Sequence, residues 1–267
     1  MVKVSVLMAT KNGDKTLAAA IESIRRQSFT NFELIICNDY STDGTASICA
    51  SVAQQDDRIR VLTNIGQPGL ASALNQGLTQ CKGAYIARMD DDDRAHPDRL
   101  VQQVAALNRQ EQVAIVGTSI RLFDDQGVYG RREVKPIPTT RDIWRGQLFA
   151  HPSVMFRRAI YDQLGGYSTA AKHLRIEDYD FWCRCYAAGF VGLNLTGTYL
   201  DYREDQAAFR KRDNWRRLRL VRCMAHWRPA MHIPWFYGVF QVIELLKCVV
   251  PQRLIRHYHR FIYRISG

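Results

Sequence analysis

The strongest constraint on the fold is a regular alternation of strand-like and helix-like segments in the first 120 residues. Short apolar runs such as KVSVLMA, FELIICND and AYIARM have the length of buried strands. They alternate with segments such as KTLAAAIESIRRQ and TASICASVAQQ, which read as helices. Strands that alternate with helices at this spacing indicate βαβ units. We therefore predict an α/β fold with a Rossmann-like, mostly parallel sheet that carries helices on both faces.

Size and composition are those of an ordinary globular chain. The 267 residues, 46% hydrophobic and 24% charged, allow one large domain, or one domain with an appendage. The apolar run at the start is short and has no cleavage site, so we expect a first strand and not a signal peptide. Seven scattered cysteines without CxxC pairs are typical of reduced thiols in a cytosolic protein, and they disfavour a zinc site.

The positive charge is concentrated near the C-terminus. The formal net charge is +11, and residues 203–267 hold 14 basic but only 4 acidic residues. This asymmetry predicts an anionic partner, either a membrane surface or a nucleic acid. No nucleic-acid-binding motif accompanies the basic residues, which favours the membrane. We expect a body formed by residues 1–205 and a basic, helical tail formed by residues 206–267.

The tail also contains a long apolar stretch. IPWFYGVFQVIELLKCVVP has about 18 mostly apolar residues, which could just span a bilayer. Gln241, Glu244 and Lys247 recur every three residues, however, and give one side of this segment a polar stripe. We therefore predict that it lies in the membrane interface, with the aromatic residues 235–237 at the headgroup level. The alternative is a helix that packs on the apolar surface of the body.

The predicted sheet places four polar loops at one edge. Ligands of open parallel sheets bind at the carboxyl ends of the strands. The loops at this edge are residues 9–12 (ATKN), 38–43 (NDYSTD), 64–66 (NIG) and 90–93 (DDDD). Four adjacent carboxylates could form a solvated surface loop. Their convergence with the other loops instead favours a site for Mg²⁺ or Mn²⁺, which prefer carboxylate oxygens.

Such a cation suits a bound diphosphate. A divalent cation held by one or two carboxylates keeps its other positions for water and phosphate oxygens. The rim has no GxxxxGK[ST] motif and no GxGxxG after the first strand, which disfavours a P-loop ATPase and a dinucleotide-binding site. A nucleotide diphosphate across the strand ends remains, with Asp39 placed to contact the base or ribose. The metal would make the diphosphate a better leaving group.

Five segments, in this order, resemble the family 2 glycosyltransferases, which are inverting enzymes of the GT-A fold. They are the opening VSVLMATKNGDKTLAAAIESIRRQSFTNFELIICNDYSTDGT, then NIGQPGLASALNQGL, GAYIARMDDDD, HPSVMFRR and EDYDFWCR. The resemblance covers roughly residues 2–205. It implies a nucleotide-sugar half at about residues 1–120 and an acceptor half at about residues 121–205.

The resemblance assigns donor-side roles to particular residues. Asp39 becomes a contact to the nucleotide base, with Thr10 and Asn12 nearby, and Asp43 lies in the same nucleotide-side segment.

Within the acidic run, Asp90 and Asp92 become the DXD pair, with Asp90 towards ribose and metal and Asp92 as the main metal ligand. Asp91 and Asp93 form a second DXD, so the register is ambiguous, and Asp91 is expected on the donor side. Arg88 either faces the phosphates or balances the acidic run.

Asp178 in the ED pair matches the family's catalytic base. An inverting transfer needs a carboxylate that takes the proton of the acceptor hydroxyl as it attacks an oxocarbenium-like centre. Glu177 and Asp180 would assist by like-charge repulsion. The alternative is that Asp178 caps the helix that follows.

Acceptor-side roles are expected for His151, Glu177 and Trp182, although a structural histidine and core packing of the tryptophan are alternatives. The family often places a metal-binding histidine after a YR pair. This chain has YREDQ, which leaves Asp205 as a substitute third ligand. The Q-x-x-R-W motif of processive synthases is missing, so we expect one sugar per encounter.

Together these features predict a Mn²⁺- or Mg²⁺-dependent glycosyltransferase at the inner face of the plasma membrane. Its donor would be a UDP-sugar, its acceptor a saccharide or lipid-linked sugar, and its role cell-surface polysaccharide assembly. Two rivals remain. A sugar nucleotidyltransferase would carry a glycine-rich basic loop after the first strand, of which ATKNGDK is a poor version. An inactive peripheral membrane protein could share the fold.

Overall fold

The computed structural model describes residues 2–146, 148–204 and 213–263. Strands and helices alternate along the body, and in the part of the chain that the structure describes it is followed by helices. The strands are β1 (Val4–Thr10), β2 (Phe32–Asn38), β3 (Ile59–Thr63), β4 (Tyr85–Asp90), β5 (Arg94–Ala95), β6 (Val113–Asp124), β7 (Gly127–Arg132), β8 (Met155–Arg157) and β9 (Val191–Arg203). The helices are α1 (Leu17–Arg25), α2 (Thr45–Gln55), α3 (Leu70–Gln80), α4 (Arg99–Arg109), α5 (Thr140–Trp144), α6 (Arg158–Leu164), α7 (Glu177–Ala187), α8 (Asn214–Trp227), α9 (Gly238–Leu246) and α10 (Gln252–Tyr263).

The nine strands within the described ranges belong to one sheet, in the order β3-β2-β1-β4-β8-β6-β9-β5, with β7 paired to β6. The first four strands are mutually parallel, as predicted, and β1 is buried along its whole length. In register, Thr10 lies opposite Asn38, Asn38 opposite Thr63, and Ala9 opposite Asp90. The carboxyl ends of these four strands therefore meet at one edge, which confirms the predicted convergence of the polar loops.

The other half of the sheet is mixed. β8 runs antiparallel to both β4 and β6, β7 forms a hairpin with β6, and β9 runs parallel to β6. The mostly parallel prediction thus holds for the first 90 residues, and the sheet as a whole is mixed. β8 has only three residues, too few for an apolar period to reveal its direction.

Helices cover both faces of the sheet because alternate strand residues point to opposite sides. Val6 and Met8 pack with buried residues of α1, α2 and α4, whereas Leu7 packs with residues of α3, α6 and α7 on the other face. The second face also receives Met224 and Tyr237 from the C-terminal region. The apolar core therefore includes part of the predicted tail.

The C-terminal helices contact the body and one another. The predicted position of residues 233–251 in a membrane interface stays a prediction. The indole Nε1 of Trp227 in α8 donates to Asp180 in α7 at 3.1 Å, and Arg217 in α8 pairs with Glu244 in α9 at 3.3 Å. At the far end, Arg260 in α10 pairs with Asp124 of β6 at 2.8 Å. Among the residues described, we find no helix with the length and apolar character needed to cross a bilayer.

Candidate active site

The loops after β1, β2 and β3 are joined by direct hydrogen bonds. The Asp39 amide donates to the Thr10 carbonyl at 2.8 Å, and the Asn64 side chain donates to the Asp39 carboxylate at 2.7 Å. The Gly69 amide also donates to Asp39, at 2.9 Å, from a backbone with φ of 141° that favours glycine. Asp39 is only 3% exposed, and Lys11 approaches it to 4.0 Å. The carboxylate predicted to contact the base is therefore held rigidly at the rim.

Asn12 and Asp43 bind neighbouring loops. The side-chain Oδ1 of Asn12 accepts from the Thr42 backbone amide at 2.9 Å, and the Asn12 backbone amide donates to the Ser41 hydroxyl at 3.0 Å. Asp43 accepts from the hydroxyl and the amide of Thr45, and the first of these hydrogen bonds is the main cause of its lowered pKa. Both residues thus shape the loops around the predicted nucleotide position.

The four consecutive aspartates divide between two directions. Asp91 turns towards β1, where the Thr10 hydroxyl donates to its carboxylate at 2.5 Å. Gly13 allows this approach, because a Cβ there would lie 2.6 Å from the same carboxylate oxygen. Asp90, Asp92 and Asp93 instead bring one potential ligand atom each to within 4.8 Å of one another. Asp90 and Asp92 thus lie together with Asp93, and Asp91 is not part of this group. The choice of Asp90 and Asp92 as the DXD pair stays a prediction.

Asp93 is the buried member of this group, at 1% exposure. One of its carboxylate oxygens accepts from the Arg203 amide at 2.8 Å, and the other is buried with no hydrogen-bond partner among the residues described. Burial, together with the charges of Asp90 and Asp92, raises the pKa of Asp93 well above its ordinary value. An unpartnered buried oxygen beside two further carboxylates is a donor set that fits a hard divalent cation.

Two buried arginines balance the acidic turn. Arg88 is 0% exposed, and its guanidinium contacts the Asp90 carboxylate and the Met89 carbonyl. The burial of Arg88 and its pairing with Asp90 favour the charge-balancing alternative over a contact with the donor phosphates. Arg99 of α4 is equally buried and donates to the Arg88 carbonyl at 2.6 Å. Burial lowers the pKa of Arg99 to about 9, although Asp93 opposes this shift.

Asp178 lies near a polar pair, His151 and Tyr167, on which it acts electrostatically. It is the second residue of α7, which begins after Ile176 without a side-chain cap, so the capping alternative is not observed. The imidazole of His151 lies 2.9 Å from the Tyr167 hydroxyl. The negative charges of Asp178 and Asp90 act to raise the pKa of both groups. Burial, with help from Arg88, lowers the pKa of His151 to about 4. His151 is therefore a neutral polar group at neutral pH.

The expected acceptor contacts of Glu177 and Trp182 are not supported. Trp182 is 3% exposed and packs edge-on against His151 and Phe149, with ring centroids 5.9 and 5.1 Å away. Glu177 is 8% exposed, and burial, reinforced by Asp178, raises its pKa. Both side chains are thus buried and leave little surface for an acceptor to contact. Asp205, the substitute third metal ligand, lies outside the residues described.

Sequence reasoning missed the roles of Arg99 and Tyr167 and left Asp93 as the lesser alternative. Arg99 follows the acidic run within the segment DDDDRAHPDR, so an excess of nearby carboxylates was a signal for a buried counter-charge. Tyr167 offers no comparable local signal, because only the fold brings it to His151.

The family model of glycosyl transferase family 2 matches residues 5–165, more than half of the chain. The chain belongs to glycosyltransferase family 2. This glycosyltransferase is 36% identical over 259 residues to the putative glycosyltransferase EpsE of Bacillus subtilis, covering 97% of this chain and 93% of EpsE. It is 35% identical over 193 residues to the O-antigen biosynthesis glycosyltransferase WbnJ of Escherichia coli, covering 68% and 70% of the two chains.

Solved structures show that the glycosyltransferase has the GT-A fold. S. aureus TarS 1–349 in complex with UDP-GlcNAc superimposes with a TM-score of 0.65 at 17% identity, covering 94% of this chain and 82% of TarS. The mannosyltransferase PcManGT of Pyrobaculum calidifontis, in complex with GDP-Man and Mn²⁺, gives a TM-score of 0.65 at 16% identity, covering 97% and 80%. The predicted fold class and enzyme class are confirmed, and the nucleotidyltransferase and inactive-protein rivals lose their support.

Proposed function

We propose that this glycosyltransferase moves a single sugar, with inversion, from a UDP-linked donor to a saccharide or lipid-linked acceptor in cell-surface polysaccharide assembly. One observation carries the proposal. Carboxylates from distant parts of the chain come into one region: Asp90 groups with Asp92 and Asp93, and both Asp90 and Asp178 act electrostatically on the same His151. An inverting transfer needs a base and a leaving-group site on opposite faces of the sugar, because the leaving group departs from the face opposite to the attacking hydroxyl.

The acidic turn would hold Mn²⁺ or Mg²⁺ through Asp90 and Asp92, with Asp93 as a further oxygen ligand. When bound, the cation stabilises the negative charge that develops on the departing diphosphate. Asp39 and Asn12 would orient the nucleotide, since their loops are already fixed to one another before any ligand arrives. A preorganised loop reduces the entropy cost of ordering the donor.

Asp178 is proposed as the general base. Its half-buried carboxylate would accept the proton of the acceptor hydroxyl while the acceptor oxygen bonds to the anomeric carbon. The bond between that carbon and the diphosphate oxygen breaks, and its electron pair leaves with the diphosphate. The neutral His151 would add a hydrogen bond without competing for the proton, because its pKa is lowered to about 4.

Similar proteins support the proposed nucleotide-sugar donor and the proposed role in polysaccharide assembly. TarS and PcManGT have been solved with UDP-GlcNAc and with GDP-Man and Mn²⁺, and WbnJ is named for O-antigen biosynthesis. A role in surface polysaccharide assembly follows by analogy, and the shared fold favours a nucleotide sugar with a divalent cation.

Thermal denaturation with a panel of UDP- and GDP-sugars tests the donor proposal. We expect one UDP-sugar to raise the Tm by roughly 5–10 °C at 100 times its Kd, and only when Mn²⁺ is present. EDTA should abolish this shift. Asp39→Asn should weaken it, whereas Asp57→Asn, an exposed aspartate outside the site, should leave it unchanged. A metal-independent shift, or none with any nucleotide sugar, would contradict the proposal.

We also propose that the enzyme associates peripherally with the inner face of the plasma membrane. Of the 21 exposed large hydrophobic residues in the described ranges, 14 lie between residues 213 and 263, including Trp235 at 81% and Phe236 at 57% exposure. Exposed aromatic residues next to basic side chains are typical of interfacial membrane binding. The packed α8 would then anchor the tail to the body, while the outer surfaces of α9 and α10 meet the lipid.

Co-sedimentation with vesicles of phosphatidylcholine and phosphatidylglycerol tests this association. The double variant Trp235→Ala/Phe236→Ala is expected to bind roughly 10- to 100-fold more weakly, because two aromatic side chains no longer enter the interface. Ile65→Ala/Val191→Ala, which removes exposed apolar side chains outside the tail, serves as the control. Equal binding by wild type and the aromatic variant would refute this membrane contact.

A further inference from the structure

The structure contains a basic cavity whose lining includes none of the residues assigned above to the donor, the metal or the base. It lies between α5 and the turn Trp235–Tyr237, has a volume of about 350 Å³, and is lined by Lys135, Thr139, Thr140, Arg141, Asp142, Arg145 and Tyr237. Three of these side chains are cationic and one is anionic, so the cavity has a net charge of +2. Its volume lies in the range of small-ligand sites.

The single carboxylate is already neutralised. Asp142 is 2% exposed and accepts from Lys135 at 2.8 Å and from the Thr139 hydroxyl at 2.6 Å. Burial alone would raise the pKa of Asp142, but the hydrogen bonds from Lys135 and Thr139 lower it overall. Asp142 is therefore ionised and fully engaged, and it leaves the two arginines of the cavity uncompensated.

Arg141 and Arg145 stand four residues apart and project from the same face of the helical segment. Both are exposed, and neither forms an ion pair with any carboxylate in the described ranges. The guanidinium carbons lie 6.0 and 5.8 Å from the centre of the Tyr237 ring, and Arg145 reaches the Tyr237 hydroxyl at 3.5 Å. Two unpaired arginines held against an aromatic ring form a preorganised receptor for a phosphate group.

The turn that supplies Tyr237 also points to the source of the phosphate. Tyr237 is 7% exposed and faces the cavity, whereas its neighbours Trp235 and Phe236 are 81% and 57% exposed. One turn thus places a phenol in a cationic cavity and two apolar rings outside it. A soluble phosphate has no apolar part that could contact the exposed rings, whereas a lipid presents a phosphate and acyl chains together.

We propose that this cavity binds the phosphate group of an anionic membrane lipid while Trp235 and Phe236 enter the adjoining interface. The proposal rests on the membrane association proposed above and names its headgroup site. Charge complementarity selects the ligand: the cavity offers two free guanidiniums and the hydroxyl of Tyr237 to an anion. The site would fix the orientation of the enzyme on the membrane and leave the donor site, which lies in other loops, free.

The test compares Arg141→Gln/Arg145→Gln with Lys82→Gln/Arg109→Gln, which removes the same charge from exposed positions outside the cavity. Binding to phosphatidylcholine vesicles with and without phosphatidic acid is measured at constant ionic strength. We expect the cavity variant to lose about 30-fold in affinity for the anionic vesicles, because two basic residues leave the lipid surface. The control variant should lose less than 3-fold. Equal losses in the two variants would overturn the proposal.

Calorimetric titration with dihexanoyl phosphatidic acid, which presents the headgroup without a bilayer, separates the cavity from the membrane contact. Wild type and Trp235→Ala/Phe236→Ala should both bind it, and the cavity variant should not. Retained binding by the cavity variant would refute the site, whereas unchanged vesicle binding by the aromatic variant would refute only the membrane contact. Equally tight binding of inorganic phosphate would overturn the assignment to a lipid. The Mn²⁺- and nucleotide-dependent thermal shift should persist in every variant, which verifies folding.

Discussion

Asp92→Ala should reduce the rate of sugar transfer at least 10²- to 10³-fold and abolish the response of the enzyme to Mn²⁺. The reason is that Asp92 belongs to the group of three carboxylates, with Asp90 and Asp93, whose ligand atoms lie within 4.8 Å. Loss of a group that stabilises charge on the leaving diphosphate typically costs this much. Initial rates at saturating donor and a Mn²⁺ titration by calorimetry measure the two effects.

Asp91→Ala provides a demanding comparison, because it removes the adjacent carboxylate. Asp91 accepts a hydrogen bond from Thr10 at 2.5 Å and faces away from the other three aspartates. We expect this variant to lose about 1.5–3 kcal/mol of stability, typical of a hydrogen bond to a charged group, and to keep its affinity for Mn²⁺. If Asp91→Ala abolished Mn²⁺ binding and Asp92→Ala did not, the assignment of Asp92 to the metal site and of Asp91 to Thr10 would be wrong.

Asp178→Asn should reduce the transfer rate 10²- to 10⁴-fold, the usual contribution of a general base. Asparagine has nearly the same size and can still hydrogen-bond, but it does not accept a proton at neutral pH. Because Asp178 is the second residue of α7, its loss of charge near the helix N-terminus should cost only about 0.3–1 kcal/mol in stability. The rate at saturating donor, the Kd of the donor and the Tm are the quantities to measure.

The affinity for the donor distinguishes a catalytic role of Asp178 from a structural one. A base acts on the acceptor hydroxyl, so the Asp178→Asn enzyme should bind the nucleotide sugar with Mn²⁺ as wild type does. Asp57→Asn controls for the general effect of removing one negative charge. Transfer by Asp178→Asn within a factor of two of wild type would exclude Asp178 as the base.

The parallel half of the fold and the position of its loops could be predicted from the sequence, because both depend on local periodicity. The apolar runs and helical patterns before residue 90 gave element bounds within about two residues, and the edge rule for parallel sheets placed Asp39 and Asp90 together. The pairings of β6, β8 and β9 join residues far apart in the chain, so no local pattern revealed them.

The directions of the side chains in the acidic turn could not be predicted from the sequence in this way. Adjacent residues in an irregular turn do not follow a fixed period, so the sequence could not tell that Asp91 turns to Thr10 while Asp93 joins Asp90 and Asp92. The two alternatives for Arg88 could not be separated for a related reason: charge predicts exposure, yet a guanidinium is tolerated in the interior when a carboxylate neutralises it. The tail was ambiguous because an apolar stripe suits a protein core as well as a lipid interface.

The bond between Trp227 and Asp180 has a consequence for the evolution of the enzyme. Asp180 lies in the same helix as Asp178, two positions further on, and receives its indole donor from α8. Helix α8 thus contributes to the interior around α7, and exchanging it between relatives would remove one hydrogen-bond donor of the buried Asp180 and leave only the partners within the body, such as Arg184. A chimera that changes membrane preference should therefore exchange the outer faces of α9 and α10 and keep α8 with its native body.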